Sequence, residues 1–479
     1  MKSTARSEKL TILKDFLLEL KLYKTGLLGL GILIVYIFIA IFAPIIAPVD
    51  PNEPGLADSY AYPEWFSIFP EYSNLPRNVF INIGYNDWLV KDTSEDISIN
   101  GDGEYTIIIA HCSDRIETRT ITLEYTFTYT YDPPKRFSGR IPFRVAIYNA
   151  TGSYIRIKCY IMTPKGRMYE LYDSMSIAYN LSRLETPASY DARDIYLKLK
   201  LGFSPHDDLG EKILNEKGEY RLQLKVFILT VKGSGRVEVT LGVKQFRVYG
   251  RLYGVLGTDN LGCDIFSNLI YGTRVSLLVG VLASVISVSV GLVVGIIAGY
   301  KGGIVDQILM YFTDTLLFTP ILPLIIAVSV FIGKSLYLEI ALIALFSWMG
   351  FARNTRAYVM SIRDSMYVES AKAIGASDMY IIFRHILPQL TPIIYITLVM
   401  RVPGAILLEA TLSFLNLGDP SVPSWGRMLY SARYAGAFFR FMWWWIIPPG
   451  LAITFLALAF VLLGHALDEI LNPKLRVRR

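Results

Sequence analysis

The chain has 479 residues, 53% of them hydrophobic and only 18% charged, with a mean hydropathy of +0.39. That balance excludes an ordinary soluble protein. The formal net charge of +6 comes from segments flanking apolar runs while the long central region is nearly neutral, so positive-inside membrane topology accounts for it and nucleic-acid binding does not.

The chain starts basic, with Lys2, Arg6, Lys9, Lys14, Lys21 and Lys24, and then carries no charge from Thr25 to Val49. A cleavable signal has an apolar region of only about 7–15 residues, whereas a membrane crossing needs about 20. This run is read as a retained helix over 27–48, with residues 1–26 as a cytoplasmic basic terminus.

Residues 51–251 form a long insert with a β pattern. Residues 120–131 set Ile121, Leu123, Tyr125, Phe127, Tyr129 and Tyr131 against Thr and Glu, which predicts one buried and one wet face at period two. Similar runs at 105–110, 142–148, 154–162, 194–201, 219–231 and 236–249 are separated in several places by turn sequences, such as those at 100–103, 149–153, 164–167 and 232–235. About seven strands joined by short turns predict an antiparallel sandwich. Sequons at Asn149 and Asn180 would suit an extracytoplasmic face, although such triplets also arise by chance. Cys112 and Cys159 both fall in this insert and could pair, but sequence does not supply the geometry.

A pre-helix segment, 255–274, leads into five more apolar stretches at 275–299, 309–333, 336–352, 388–414 and 441–467. Asp314, Pro320 and Pro323 interrupt the second, and Glu339 lies near one end of the third. With the first helix they make six crossings, which puts both termini on one side. The basic tail, 468–479, with Lys474, Arg476, Arg478 and Arg479, makes that side cytoplasmic and places about 51–274 outside. Arg427, Arg433 and Arg440 then fall on the outer side, against the rule. Trp443, Trp444 and Trp445 sit at the outer end of the last helix, where an interfacial aromatic belt accounts for them and a substrate-stacking role is the alternative.

The same count puts the polar, amphipathic stretch 361–388 in the cytoplasm. Ser361 to Ile374 is expected to be helical, with Gly375 ending the helix. Ser377 is placed to cap a second short helix, and Asp378 adds negative charge at its positive end. Met379, Ile382, Phe383 and Ile386 share one face of it, an apolar ridge that needs a groove to fill or packs back on its own bundle. Pro388 is expected to begin the fifth membrane helix, where a missing N–H costs least.

The spacing Glu369-Ser370-Ala371, Gly375, Leu387-Pro388 resembles the EAA loop of type I ABC importer permeases, with Ser370 for the usual Ala and His385 for the usual Ile. Residues 257–278, GTDNLGCDIFSNLIYGTRVSLL, are similar to the segment before the second helix in dipeptide/oligopeptide/nickel permeases, with Cys263 and Asn268 where that family usually has Arg. Residues 409–426 and 448–476 resemble two further family segments, with Asn472 replacing an Asp. The resemblance is close over 255–479, loose over 1–50, and absent from the insert.

It implies a polytopic α-helical membrane protein of the type I importer fold, carrying an inserted extracytoplasmic all-β, sandwich-like domain. Glu369, Ser370, Ala371, Gly375, Met379, Ile382, Phe383, Leu387 and Pro388 would form a coupling loop docked on separate ATPase subunits. The implied partners are a homologous permease in a heterodimer, with this chain as its second subunit, two ABC ATPases, an extracytoplasmic substrate-binding protein, and membrane lipid. Peptides are the family's default substrate, with oligosaccharides and metal chelates served by similar permeases.

Asp314, Arg401 and Glu409 lie within apolar helices, and such charges line a path, pair with a partner, or snorkel toward an interface. No catalytic residue, cofactor or metal set is expected. Gly333-Lys334-Ser335 lacks the first glycine of a P-loop and ends an apolar helix, and the four histidines are scattered. A membrane-anchored receptor or adhesion protein is the rival reading. An ion-driven carrier is weaker, because no internal repeat is visible.

Overall fold

The computed structural model describes residues 23–113, 115–150, 153–174, 186–231 and 235–471. Most of the basic terminus, the tail with Lys474, Arg476, Arg478 and Arg479, and the Asn180 sequon lie outside the described residues. The chain divides into two compact units, Pro54–Cys263 and the segments through Glu53 and from Asp264.

The first unit is a two-sheet sandwich. One sheet holds β1 (Val79–Ile83), β3 (Ile97–Gly101), β4 (Thr106–Cys112), β6 (Arg136–Tyr148), β9 (Thr186–Asp191), β11 (Gly235–Leu241) and β12 (Lys244–Tyr249). The other runs β2-β5-β10-β7-β8, built from β2 (Leu89–Thr93), β5 (Glu117–Tyr129), β7 (Tyr154–Met162), β8 (Met168–Asp173) and β10 (Gly218–Thr230). Every named pairing is antiparallel, and β5 and β10 pair from Tyr129↔Gly218 to Glu117↔Thr230. β11 and β12 follow one another along a single edge of β6.

Ile121, Leu123, Phe127 and Tyr129 face the core as their alternation predicts, while Tyr125 and Tyr131 are half-buried against it. The opposite face of β5 is not uniformly wet. Glu124 is 3% exposed, held by Lys91 at 3.1 Å and by the Gln223 amide at 2.7 Å, because β2 and β10 flank it. A buried carboxylate supplied with both charge and hydrogen bonds is tolerated.

Residues 194–201 depart from expectation. They form a short helix, α2 (Ile195–Lys200), despite a period-two pattern. The Asp194 side chain accepts from the Tyr196 N–H at 2.9 Å, and Gly202 at φ +80° stops the helix, so local capping overrides alternation. A second short helix, α3 (Leu209–Ile213), precedes β10. Cys112 and Cys159 are both buried and form no disulfide. The side chain of Asn149 is exposed, at φ +53° in the turn after β6.

Residues 257–263, expected as part of a pre-helix segment over 255–274, belong to the β-rich unit. The Thr258 hydroxyl donates to the Asp58 carbonyl at 2.6 Å and accepts from the Ala61 N–H at 2.9 Å. The Asp259 carboxylate accepts from the N–H groups of Leu261 and Cys263 at 2.8 and 2.9 Å.

The second unit is helical. It contains α1 (Lys24–Ile46), α4 (Ile265–Lys301), α5 (Gly303–Leu317), α6 (Ile321–Ile332), α7 (Leu336–Leu345), α8 (Met349–Arg363), α9 (Met366–Ala373), α10 (Asp378–Ile381), α11 (Leu387–Phe414), α12 (Trp425–Tyr434) and α13 (Trp443–Leu471). Five stretches among the described residues are long and apolar enough to cross a membrane, and α5 with α6 adds a pair bent by 83°. That bend falls where Pro320 precedes α6.

Helix α4 starts ten residues before its apolar run because the Asp264 carboxylate accepts from the N–H groups of Phe266 and Ser267 at 3.3 and 3.0 Å. Asp264→Ala is expected to cost about 1 kcal/mol, read as a lower melting midpoint of the purified chain; an unchanged midpoint would remove the cap from the account. α4 then packs on α8 through Gly291, Gly295 and Gly299. A Cβ there would stand 2.8, 2.6 and 2.8 Å from the carbonyl oxygens of Trp348, Ala352 and Arg356. Small residues at four-residue spacing let two membrane helices meet backbone to backbone. Trp444 and Trp445 are 4% and 1% exposed, so an interfacial belt accounts only for Trp443, which is 48% exposed.

Candidate functional site

The polar stretch is built from α9, α10 and the start of α11. A single helix over 361–374 is not what forms. α8 ends at Arg363, whose guanidinium donates to Asp364 at 2.9 Å and holds that carboxyl below the usual carboxylate range. Ser365 starts α9, which ends before Gly375 at φ +85°, a conformation glycine adopts without steric cost. The Ser377 hydroxyl then accepts from the Tyr380 N–H at 3.4 Å.

α10 does not stop before α11. Residues Ile382–Ile386 form one π turn that carries the helix directly into Leu387. Pro388 lacks an N–H and its ring would crowd the carbonyl four residues earlier, and the wider turn accommodates both defects. Pro388 therefore sits within a continuing helix rather than opening one.

The apolar ridge is divided. Ile386 is fully buried, Ile382 is half-buried, and Met379 and Phe383 are 66% and 65% exposed. Ile386 and Ile381 pack with Val359, Val368 and Leu390, so the bundle claims that side. Met366 and Ile374, both 86% exposed, join Met379 and Phe383 as outward apolar side chains. Sequence reasoning passed over both, although each flanks a helix end, where a large apolar residue has no bundle neighbour to cover it.

Glu369 and Ser370 are exposed, with the Ser370 hydroxyl donating to the Met366 carbonyl at 2.8 Å; Ala371 is buried, Leu387 half-buried and Pro388 exposed. Asp378 is braced by the far end of α4, accepting from the Tyr300 hydroxyl at 3.0 Å and from the Lys301 ammonium at 3.1 Å.

The three intramembrane charges are placed separately. Asp314 on α5 is ion-paired with Arg353 on α8 at 2.9 Å. Beside it, Arg356 grips Asp306 through two contacts of 2.5 Å, a pair that sequence spacing does not reveal. Arg401 donates to the Ser347 carbonyl at 2.6 Å and borders a cavity of about 160 Å³ lined also by Ser284 and Ser287, whose buried hydroxyls have no hydrogen-bond partner among the described residues. Glu409 is fully buried and does not snorkel; it accepts from the Ser413 and Ser276 hydroxyls at 3.0 and 3.5 Å. Glu339, on α7, is 5% exposed, and one of its carboxylate oxygens has no hydrogen-bond partner among the described residues. No cluster that could hold a metal occurs among the described residues.

Apolar helices that meet through glycine contacts, bury several charges, and end in a capped, bent and partly apolar hairpin define a polytopic membrane-type helix bundle with an outward-facing polar hairpin. Comparison with known proteins specifies the kind. Residues 291–477 match the family described as binding-protein-dependent transport system inner membrane component, and residues 11–63 match the N-terminal TM domain of oligopeptide transport permease C.

The glutathione transport system permease protein GsiD of Pectobacterium atrosepticum is 40% identical over 46% of this chain and 73% of its own length. The dipeptide transport system permease protein DppC of Bacillus subtilis is 37% identical over 46% of this chain and 68% of its own. Among solved structures, the inward-facing MetNI methionine ABC transporter aligns with 44% of this chain and 97% of its own at 17% identity and a TM-score of 0.35, too low to bear on the fold. This chain belongs to the inner-membrane permease family of binding-protein-dependent ABC importers, in its dipeptide/oligopeptide group, and is a permease subunit of such an importer.

Proposed function

We propose that this chain forms half of a translocation pathway for peptides or similar small solutes, with α9 and α10 as the part that receives force from separate ATPase subunits. In this reading the membrane is crossed six times, with α5 and α6 as one broken span. Both termini are cytoplasmic, and the sandwich lies outside the cell membrane. The chain catalyses nothing itself. It pairs with a homologous permease, two ATPases and an extracytoplasmic binding protein. Peptides are favoured as cargo by the named substrates of the relatives, glutathione and dipeptides. Arg401 and its cavity, and the buried Glu409, are then candidates for the pathway or for contacts with the second permease.

The observation that carries the proposal is the exposed apolar set Met366, Ile374, Met379 and Phe383 on a hairpin that is otherwise firmly held. Large apolar side chains in water are stabilised by a groove that covers them. Asp378 ties the hairpin to α4, and one continuous helix ties it to Arg401 and Glu409, so a push on it is delivered to the bundle. Coupling requires that the hairpin bind the open and closed forms of the motor differently.

Cysteine in place of Met379 is expected to cross-link to an ATPase subunit in membranes, with the yield changing when ATP is bound. Labelling of the same cysteine by an impermeant reagent from outside intact cells would reverse the topology and remove the proposal.

A further inference from the structure

The sandwich core contains a buried cation with an unusual neighbour. Lys244, at the start of β12, is 1% exposed, and its ammonium lies 3.1 Å from the Cys159 sulfur on β7, itself fully buried. Among the described residues no carboxylate pairs with it. The Tyr190 hydroxyl is 3.9 Å from the same sulfur, and the Trp88 ring lies 5.6 Å from the lysine nitrogen. Around them the core is apolar, with Ile157, Ile161 and Phe246 buried nearby in sequence on the same strands.

An ammonium in such a place is costly unless it is paired or neutralised, and a thiol is a weak partner. β12 and β7 belong to different sheets, so this contact spans the sandwich. A covalent link across two sheets occupies the place an inter-sheet disulfide takes in immunoglobulin domains.

We propose that Lys244 and Cys159 are the site of an oxidative Lys–O–Cys bridge that staples the two sheets. Dioxygen, small and apolar enough to enter the core, is the oxidant. One of its oxygen atoms is inserted between nitrogen and sulfur, forming an N–O and an S–O bond. The S–H bond and two N–H bonds of the ammonium break; two of the three hydrogens leave with the second oxygen atom as water, and the third leaves as a proton that carries away the positive charge. Sulfur and nitrogen each give up two electrons, and dioxygen takes all four. The product nitrogen is hydroxylamine-like and uncharged at neutral pH, so the reaction also removes the buried charge. Cys112 is buried too, but its sulfur meets backbone groups on β4 and β11, the Ala110 carbonyl at 3.7 Å among them, and it serves as an internal control.

The test is peptide mass spectrometry on the full chain, purified in detergent under air and digested without reductant. The expected result is a joined pair of peptides containing Cys159 and Lys244, heavier by one oxygen and lighter by two hydrogens than their sum. A thiol reductant should release it as unmodified cysteine and lysine. The melting midpoint should fall on reduction in the native chain and not in Cys159→Ala. If Cys159 is instead fully alkylated on denaturation without reductant, with Lys244 unmodified even after peroxide treatment, the bridge does not form. A disulfide between Cys159 and Cys112 would overturn it equally.

Discussion

Leucine at position 295 is expected to prevent α4 and α8 from packing. Even a bare Cβ there would stand 2.6 Å from the Ala352 carbonyl oxygen and 2.6 Å from the Thr355 Cβ, and a backbone oxygen cannot rotate away as a side chain can. Overpacking a well-filled contact costs about 1–3 kcal/mol, and a backbone clash falls at or above the top of that range. The same close approach recurs at Gly291 and Gly299, so relief at one site opposes fit at the next. Gly295→Leu should therefore yield little monodisperse protein on size exclusion, and Gly295→Ala a chain with a lowered melting midpoint. A Gly295→Leu chain that melts like the native one would mean that the two backbones do not approach this closely.

The second large effect is functional. Phe383→Glu places a charge on the outward apolar face and leaves the bundle untouched, since the side chain it replaces is 65% exposed. Losing an aromatic anchor from an interface costs about 2 kcal/mol or more, roughly thirtyfold in affinity. Co-purification of ATPase subunits should drop accordingly and uptake should cease, with the chain present in the membrane at normal abundance. Ile386→Glu provides the contrast. That position is fully buried, so the same charge should reduce abundance instead. Full uptake by Phe383→Glu at normal abundance would refute docking through this face.

These contrasts mark what the sequence could and could not reveal. Rules confined to a few neighbours worked well in the hairpin. Gly375 takes the left-handed conformation its position required, and Ser377 caps the helix it precedes. The central alternation of β5 placed Ile121, Leu123, Phe127 and Tyr129 correctly in a core. What failed depended on partners distant in sequence. Glu124 reads as wet until Lys91 and Gln223 are beside it. Ile386 reads as part of an outward ridge until Val359 and Val368 cover it.

A second kind of failure was local but ambiguous. Residues 195–200 carry a strand pattern, yet the aspartate before them and the glycine after them are helix boundaries. The start of α4 is hidden in the same way, because the apolar run begins only at 275 and Asp264, which caps the helix, lies in the polar segment before it. The glycine contacts of α4 were legible in principle from their four-residue spacing, but only a second helix gives that spacing a meaning.

The π turn at Ile382–Ile386 has a geometric consequence. One residue more than an α turn needs is accommodated there, and each residue of an α-helix rotates its successors by about 100° about the axis. The turn therefore acts as an index mark, fixing the compass bearing of Met379 and Phe383 relative to that of Arg401 and Glu409 further along the same rod. Wound instead as an ordinary α turn, the same residues would aim one set of side chains at a different quarter of the horizon, by roughly 90°, relative to the other.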